Sequence, residues 1–218
     1  MSTGPGTVLA PASIAERARA AGITLETEAA EALAVHGLAV LEANDRLHLT
    51  AITDPADFLE RHLGEAFEGA ALLPEDVKGV LLDLGSGNGY PGIPLALARP
   101  GLRPVLAEAS AKKAEFLRKA LVAARLPLGR VLEARVARTV DLDDLPPIAV
   151  LATRAMGGWE RIVPKLVTRL SPGGFVLLWA GGDVSAIMGR TSWGSLRVET
   201  SRILPGRDRS SVYRLSAS

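Results

Sequence analysis

One stretch, residues 80–95, constrains the fold more than any other part of the chain. It begins with an apolar run, which predicts a buried strand of a parallel sheet. An acid, Asp83, lies near the end of this strand, where a parallel sheet presents its ligand crevice. Gly85, Gly87 and Gly89 follow at alternate positions, so the backbone can turn tightly and approach a ligand closely. The stretch therefore predicts a nucleotide-type binding loop between a strand and a helix.

Two kinds of cofactor fit this loop. Residues 87–92 spell G-x-G-x-x-G, the dinucleotide fingerprint, and Glu108 follows about twenty residues later at the end of the next apolar run. Asp83 and Gly85 extend the pattern to D-x-G-x-G-x-G, in which a carboxylate can meet the cationic end of a sulfonium amino acid. That negative charge disfavours a pyrophosphate, so the pattern favours S-adenosylmethionine over NAD. Glu108 can bind a ribose diol in either case.

Composition excludes several other kinds of site. The 218 residues include no cysteine, which rules out disulfides, thiolate metal sites and cysteine nucleophiles. Only three histidines are present, and we expect no metal centre. The 25 basic and 24 acidic residues give a net charge of +1, which neither demands nor excludes a nucleic-acid partner. Neither a membrane-spanning apolar run nor a signal-peptide pattern is recognisable, so we expect a cytoplasmic protein without membrane association.

The first third of the chain is predicted to be helical. Apolar residues recur at helical spacing over residues 24–44, and His36 lies beside this stripe, so we interpret it as a packed or surface histidine. Asp54-Pro55 is a cap followed by a first-turn proline, and it opens a further helix to about residue 70. Residues 1–70 are therefore predicted to form an N-terminal helical extension.

Residues 71–218 are predicted to form an α/β domain. Apolar runs alternate with amphipathic helices, which implies a parallel, doubly wound sheet with helices on both faces. The turn signal Pro172-Gly173-Gly174 is expected to lead into a strand over residues 175–179. Two further apolar runs, residues 196–204 and 212–215, predict a closing antiparallel hairpin.

Short motifs spread over the middle of the chain carry a family resemblance. They are Leu49-Thr50, Asp54-Pro55, Arg61-His62, the loop at residues 83–95, Lys112-Lys113, Phe116-Leu117 and Thr153-Arg154-Ala155. In this order they resemble the RsmG/GidB family of bacterial methyltransferases, and the sequence Pro-Gly-Ile-Pro from residue 91 is the most specific part. The resemblance implies a Rossmann-like class I methyltransferase fold with a mostly parallel seven-stranded sheet. It also implies S-adenosylmethionine-dependent methylation of N7 of a guanine in 16S rRNA of the small ribosomal subunit, by an enzyme that we expect to be monomeric.

The resemblance further implies roles for individual positions. Tyr90 would lie beside the methionine end of the cofactor, Glu108 would take the ribose, and Arg154 would lie between cofactor and target base as the candidate catalytic residue. The cofactor-binding candidates are Asp83, Gly85, Ser86, Gly87, Gly89, Tyr90, Glu108, Val136, Ala137 and Arg154. The RNA-binding candidates are His48, Arg61, His62, Arg207 and Arg209.

Some positions depart from the family pattern. The family usually has asparagine at position 48, commonly glutamate at position 137, and lysine at position 180, where this chain has His48, Ala137 and Ala180. Ala137 is tolerable if the adenine is bound through backbone amides. The asparagine and the lysine are expected on the RNA side, so two alternatives stay open. One is a divergent relative that methylates another RNA or a small molecule, and the other is a non-catalytic cofactor-binding module.

The proposed chemistry needs few residues. Guanine N7 carries a lone pair in the ring plane, so we expect no general base and a barrier lowered mainly by positioning. Arginine suits the O6/N7 edge of guanine, and we expect Arg154 on O6 or stacked on the base, because donation to N7 would block attack. From Arg190 onward six arginines oppose only Glu199 and Asp208, which makes this segment the best candidate for phosphate contact.

Overall fold

The computed structural model describes residues 4–182, 184–188, 193, 195–207 and 209–217. The α-helices in this part of the chain are α1 (Pro5–Val8), α2 (Pro11–Ala20), α3 (Thr27–Leu47), α4 (Pro55–Phe58), α5 (Glu65–Ala70), α6 (Gly92–Ala98), α7 (Ala111–Ala123), α8 (Trp159–Leu166) and α9 (Val184–Met188). The strands are β1 (Gly79–Leu84), β2 (Leu102–Ala107), β3 (Arg130–Leu132), β4 (Ile148–Arg154), β5 (Leu170–Gly181), β6 (Leu196–Ile203) and β7 (Ser210–Ala217). None of the helices within the described ranges is both long and apolar enough to cross a membrane.

The strands of the described chain form a seven-stranded sheet in the order β3-β2-β1-β4-β5-β7-β6. Strands β1 to β5 pair in parallel with one another, while β7 runs antiparallel to both β5 and β6. The carboxyl ends of the parallel strands therefore meet at one edge of the sheet, and the glycine loop after β1 lies there. The mostly parallel α/β sheet and the closing hairpin are confirmed.

Side chains of β1 alternate between two cores, because successive strand residues point to opposite faces. Leu81 belongs to a core that includes residues of α2, α3, α6 and α7. Val80, Leu82 and Leu84 belong to a second core with residues of α8 and α9. Helices thus cover both faces of the sheet, as predicted. The first core also joins helices before residue 70 to the sheet, and the division into two domains at that residue stays a prediction.

The helix predicted after Asp54 spans residues 55–70, but its middle is irregular. Asp54 caps it, because one carboxylate oxygen accepts hydrogen bonds from the amides of Ala56 and Asp57 at 3.0 and 2.9 Å. Between α4 and α5 the chain forms a π-helix, Leu59–Gly64. Such wide turns inside helices occur frequently at functional sites. The side-chain pattern does not predict a π-helix here. The segment contains the pair Arg61-His62, which the sequence analysis selected as RNA-binding candidates.

The sequence prediction of a turn at Pro172-Gly173-Gly174 that leads into a strand is wrong. Strand β5 already begins at Leu170, so this tripeptide lies within it. The ladder with β4 shifts register here, since Ile148 pairs with Leu170 whereas Val150 pairs with Phe175. The extra residues therefore bulge out of the ladder, with Gly173 at a φ of 72°. The glycine signal marked a bulge rather than the start of the strand.

Candidate functional site

The loop after β1 adopts a conformation that requires its glycines. Gly85, Gly87 and Gly89 have φ angles of 70°, 53° and 90°, in the left-handed region that other residues rarely adopt. The amides of Gly85 and Ser86 both donate to the carbonyl oxygen of Ala107, at 2.9 and 3.0 Å, which ties the loop to the end of β2. The alternating glycines therefore follow from the backbone path itself.

Glu108, the acid at the end of β2, holds the same loop from the other side. Its Oε2 accepts the amide of Gly87 at 3.0 Å, and its Oε1 accepts the amide of Ser110 at 2.8 Å. The side chain is half-buried. A carboxylate has about four acceptor positions, so two remain for hydroxyl groups of a ligand. The spacing between the loop and this acid, which the sequence predicted to matter, is realised as a direct contact.

Two clefts open beside the glycine loop, and we name each by the ligand that the sequence analysis predicts for its residues. The cofactor-side cleft has a volume of about 340 Å³, and its lining includes Gly85, Glu108, Val136, Ala137, Met156 and Ile162. The target-side cleft has a volume of about 530 Å³, and its lining includes Thr50, His62, Glu65, Gly85, Arg154 and Arg207. Because Gly85 lines both, a ligand lying across this residue can extend from one cleft into the other.

The wall of the cofactor-side cleft is mainly apolar. Val136 is 6% exposed, while the amide of Ala137 donates to Oδ2 of Asp141 at 2.9 Å. Backbone hydrogen bonds from Ala137 and Arg138 lower the pKa of Asp141, so this carboxylate stays ionised. Since the amide of Ala137 is already engaged, the wall offers a base apolar contact at this position rather than that hydrogen bond.

Asp83 lies behind the loop rather than in the wall of either cleft. The residue is 1% exposed, and its Oδ2 accepts the amide of Gly92 at 3.1 Å, at the start of α6. Its Oδ1 is buried without a hydrogen-bond partner among the described residues. Burial raises the pKa of Asp83 to about 6. An unpartnered buried oxygen costs free energy, so a donor supplied by a ligand would stabilise this site.

Arg154, the last residue of β4, lines the target-side cleft. Its Nη1 donates to the carbonyl oxygen of Arg61 at 2.6 Å and to Oε2 of Glu65 at 3.3 Å, and its Nη2 lies 2.5 Å from Nδ1 of His62. The side chain is 14% exposed. A guanidinium has five N–H groups, so two remain for a ligand. The π-helix and α5 therefore immobilise the predicted catalytic residue without exhausting its donors.

His62 is neutral and fully engaged in this network. Its Nδ1 accepts from Arg154, which places the proton on Nε2 and lets it donate to Oγ1 of Thr50 at 2.8 Å. Burial, followed by the nearby charges of Arg154 and Arg61, lowers the pKa of His62 to about 2. His62 therefore orients Arg154 and does not accept a proton from a ligand.

Glu65 is a site residue that the sequence reading missed. It is 3% exposed, and its two carboxylate oxygens bind arginines from different walls. Oε2 binds Arg154, and Oε1 forms an ion pair at 3.0 Å with Nε of Arg207, on the turn between β6 and β7. One signal could have revealed it: Glu65 follows His62 by three residues, so the two share a helix face.

Tyr90 forms an aromatic wall with residues of the N-terminal helices. Its ring stacks on His36 at a centroid distance of 4.9 Å and lies 5.0 Å from His62, with Phe58 edge-on at 5.5 Å. Burial lowers the pKa of His36 to about 4, so it is an uncharged packed histidine, as interpreted from the sequence. The N-terminal helices thus form part of the site.

Sequence comparison shows which protein family this chain belongs to. The chain matches the GidB family, described as rRNA small subunit methyltransferase G, over residues 30–187. The chain belongs to this family. It is 37% identical to ribosomal RNA small subunit methyltransferase G of Sorangium cellulosum over 186 residues, which cover 84% of this chain and 77% of that protein. It is 41% identical to the protein of the same name from Alkalilimnicola ehrlichii over 161 residues, covering 73% and 70% of the two chains.

Solved structures agree on the fold. Fibrillarin of Aeropyrum pernix, in complex with S-adenosyl-L-methionine, superposes with a TM-score of 0.57 at 16% identity, covering 68% of this chain and 73% of that one. Ribosomal protein L11 methylase of Lactobacillus delbrueckii gives a TM-score of 0.57 at 12% identity, covering 72% and 79%. The fold is thus the Rossmann-like class I methyltransferase fold. As a GidB family member the chain is a methyltransferase with S-adenosylmethionine as its methyl donor.

The residues in and behind the cofactor-side cleft have the chemistry that this cofactor would need. Glu108 keeps acceptor positions for the ribose hydroxyls, and the apolar wall at Val136 suits a base. The unpartnered Oδ1 of Asp83 lies behind the loop that both clefts share, and a cationic amine would complement its charge. Glu108 and Val136 would hold the adenosine end of the cofactor, and the buried Asp83 would act on its amino-acid end from behind the loop.

The five RNA-binding candidates fall into two groups. Arg61, His62 and Arg207 line the target-side cleft. His48 and Arg209 are exposed and lie outside its lining. His48 ends α3 in the left-handed conformation, with a φ of 48°, which asparagine tolerates better than most residues. The left-handed backbone therefore explains the asparagine that is usual in the family at this position. In the arginine-rich segment predicted to contact phosphates, Arg190 and Asp208 lie outside the described residues.

Proposed function

We propose that this S-adenosylmethionine-dependent rRNA methyltransferase modifies N7 of a guanine in 16S rRNA of the small ribosomal subunit, acting as a monomer in the cytoplasm. One observation supports the choice of atom. Among the described residues that line the target-side cleft, the ionisable groups are cationic arginines, the neutral His62, the buried Tyr90 and Glu65, which binds two arginines. None of these groups is arranged to remove a proton.

Guanine N7 suits such a cleft better than other acceptors do. A ribose hydroxyl or an exocyclic amine must lose a proton during methylation, which requires a base within hydrogen-bond reach. N7 attacks with a lone pair that it already has. Asp83 is the carboxyl group of raised pKa nearest the loop, but it is 1% exposed and binds the amide of Gly92. It therefore does not supply a base to the target-side cleft.

The work of the protein is positioning. The cofactor supplies an electrophilic methyl carbon on a sulfonium. Arg154 keeps two N–H groups for O6 of the guanine, so that N7 stays free, and His62 and Glu65 hold the guanidinium in place. Arg61 lines the cleft, and its Nε is buried without a partner among the described residues, so it is suited to a phosphate or base oxygen. Holding two reactants in line can lower a barrier by about 7 kcal/mol or more.

Methyl transfer to defined acceptors tests this proposal. The protein is incubated with tritiated S-adenosylmethionine and naked 16S rRNA, assembled 30S subunits or free guanosine. Reduction with borohydride followed by aniline cleaves RNA at N7-methylguanine, and primer extension maps the cut. We expect label and cleavage at one guanine of the rRNA. Label in a ribose, an exocyclic amine or guanosine alone would support the divergent relative, and cofactor binding without transfer would support a non-catalytic module.

A further inference from the structure

Two glutamates on α5 lie one helical turn apart and each bind two arginines. Glu65 binds Arg154 and Arg207. Glu68 binds Arg17 through Oε1 at 3.3 Å and Arg202 through Oε2 at 2.8 Å. Both glutamate side chains are largely buried, at 4% and 12% exposure. The same chemical unit therefore occurs twice on one helix.

The two units differ in where their arginines lie. Both arginines bound to Glu65 line the target-side cleft, one at the end of β4 and the other on the turn between β6 and β7. Arg17, on α2, and Arg202, on β6, lie outside that lining, and they connect the N-terminal helices to the closing hairpin. Glu68 thus connects parts of the fold away from the target-side cleft, whereas Glu65 contacts two arginines that line it.

We propose that Glu65 is a positioning residue for the target base, and this rests on the proposed function. Its carboxylate fixes the guanidinium of Arg154 on one side and that of Arg207 on the other, so the two cations keep a set separation before RNA binds. Arg154 also donates to the carbonyl of Arg61 and to the neutral His62, but Glu65 contributes the negative charge among these acceptors. Without that charge, the largely buried Arg154 and the half-buried Arg207 repel each other and lose their common anchor.

The matched variants Glu65→Gln and Glu68→Gln test this role. Both keep the side-chain shape and remove one negative charge between two arginines, so both are expected to lower the thermal midpoint. Only Glu65→Gln is expected to lower kcat for rRNA, by about 100-fold, because a displacement of about 1 Å in a positioning group can cost that much. Its affinity for S-adenosylhomocysteine is expected to stay unchanged in calorimetry, since Glu65 lies outside the cofactor-side cleft. Glu65→Asp keeps the charge and is expected to recover part of the turnover.

A double-mutant cycle separates positioning from general destabilisation. If Glu65 acts through Arg154, Glu65→Gln adds little to the loss in kcat caused by Arg154→Met, because the group to be positioned is already gone. Additive losses, or equal kcat values for Glu65→Gln and Glu68→Gln, would overturn the proposal.

A readout without catalysis keeps this inference distinct from the proposed function. Nitrogen-15 NMR detects guanidinium N–H groups of arginine, at Nη as well as Nε, that are held rigidly and protected from exchange with water. We expect the signals of Arg154 and Arg207 to broaden or vanish in Glu65→Gln and to persist in Glu68→Gln. Transfer to no rRNA by the unsubstituted protein would reject the proposed function, while unchanged NMR signals in Glu65→Gln would reject the positioning role.

Discussion

The two clefts beside the glycine loop are built in different ways. The cofactor-side cleft depends on backbone geometry, with left-handed glycines, amides bound to Glu108 and an apolar wall. The target-side cleft depends on side chains that reach one another across the fold, such as Arg154 and Glu65, which are 89 residues apart. The comparison teaches that backbone sites leave local motifs in a sequence, whereas side-chain networks assembled from distant segments do not.

The sharpest test of this difference is Arg154→Ala. It removes a cation that lines the target-side cleft but changes neither the glycine loop nor Glu108. We expect kcat to fall by about 100- to 1,000-fold, as when one preorganised donor is lost from an active site, with cofactor affinity largely retained. Tritium transfer and calorimetry with S-adenosylhomocysteine measure the two effects. Arg202→Ala, which removes an arginine bound to Glu68, is the control and should retain turnover; retained methylation in Arg154→Ala would reduce that residue to a structural role.

Gly89→Ala should instead distort the glycine loop beside the cofactor-side cleft. A Cβ at this position would lie 2.8 Å from Cδ1 of Ile93 and 3.0 Å from Nε2 of His36, at a φ of 90°. The strained backbone alone costs about 1–3 kcal/mol, and the contacts add to it, so binding of S-adenosylhomocysteine should be lost. Gly158→Ala is a matched control, because its φ is 80° but the added Cβ meets nothing within 4 Å. Equal cofactor affinities in the two variants would contradict the crowded geometry of the loop.

Asp83→Asn, measured at several pH values, distinguishes the effect of Asp83 on folding stability from its effect on cofactor binding. Burial raises the pKa of Asp83 from 3.8 to about 6, so the folded state takes up a proton between these values, and stability falls as the pH rises through this window. At pH 7 the asparagine variant should be more stable by about 2–3 kcal/mol, and this gain should vanish below about pH 4. If the carboxylate complements the cationic amine of the cofactor, the variant should also bind cofactor weakly at pH 7. Urea unfolding and calorimetry across about pH 3–8 would measure the stability gain and the cofactor affinity on both sides of this window. Unchanged cofactor affinity would mean that Asp83 only holds the start of α6.

His48→Asn should have the smallest effect. It restores the residue usual in the family at a position where the backbone is left-handed, so we expect a gain of about 0.5 kcal/mol in the free energy of unfolding. Turnover on rRNA should not change, because His48 lies outside the lining of the target-side cleft. A clear rise in turnover would instead place position 48 on the RNA surface.

Local signals account for what the sequence predicted well. The D-x-G-x-G-x-G pattern, the later acid Glu108 and the Asp54-Pro55 cap depend on neighbouring residues, and the loop, its contact with β2 and the helix start are found in the structure. The family, the fold and the cofactor are confirmed. The individual binding roles stay predictions.

Long-range packing accounts for what the sequence could not give. Glu65 reads as an ordinary helical acid, and its role depends on two arginines brought close only by the sheet and the hairpin. The inward burial of Asp83 likewise depends on α6 folding back over β1, so the motif revealed the residue but not its orientation. The sequence likewise did not reveal that His48 ends α3 in the left-handed conformation.

The π-helix sets the relative orientation of the two ends of the helix over residues 55–70. An α-helix turns by about 100° per residue, so winding the same residues of Leu59–Gly64 as a regular α-helix would rotate everything after them by roughly that angle. Glu65 would then leave both of its arginines, and Gly69 would leave the indole of Trp179, which already occupies the space a Cβ would need. The wide turn thus keeps the two ends of this helix in phase with different neighbours, and we expect evolution to retain it.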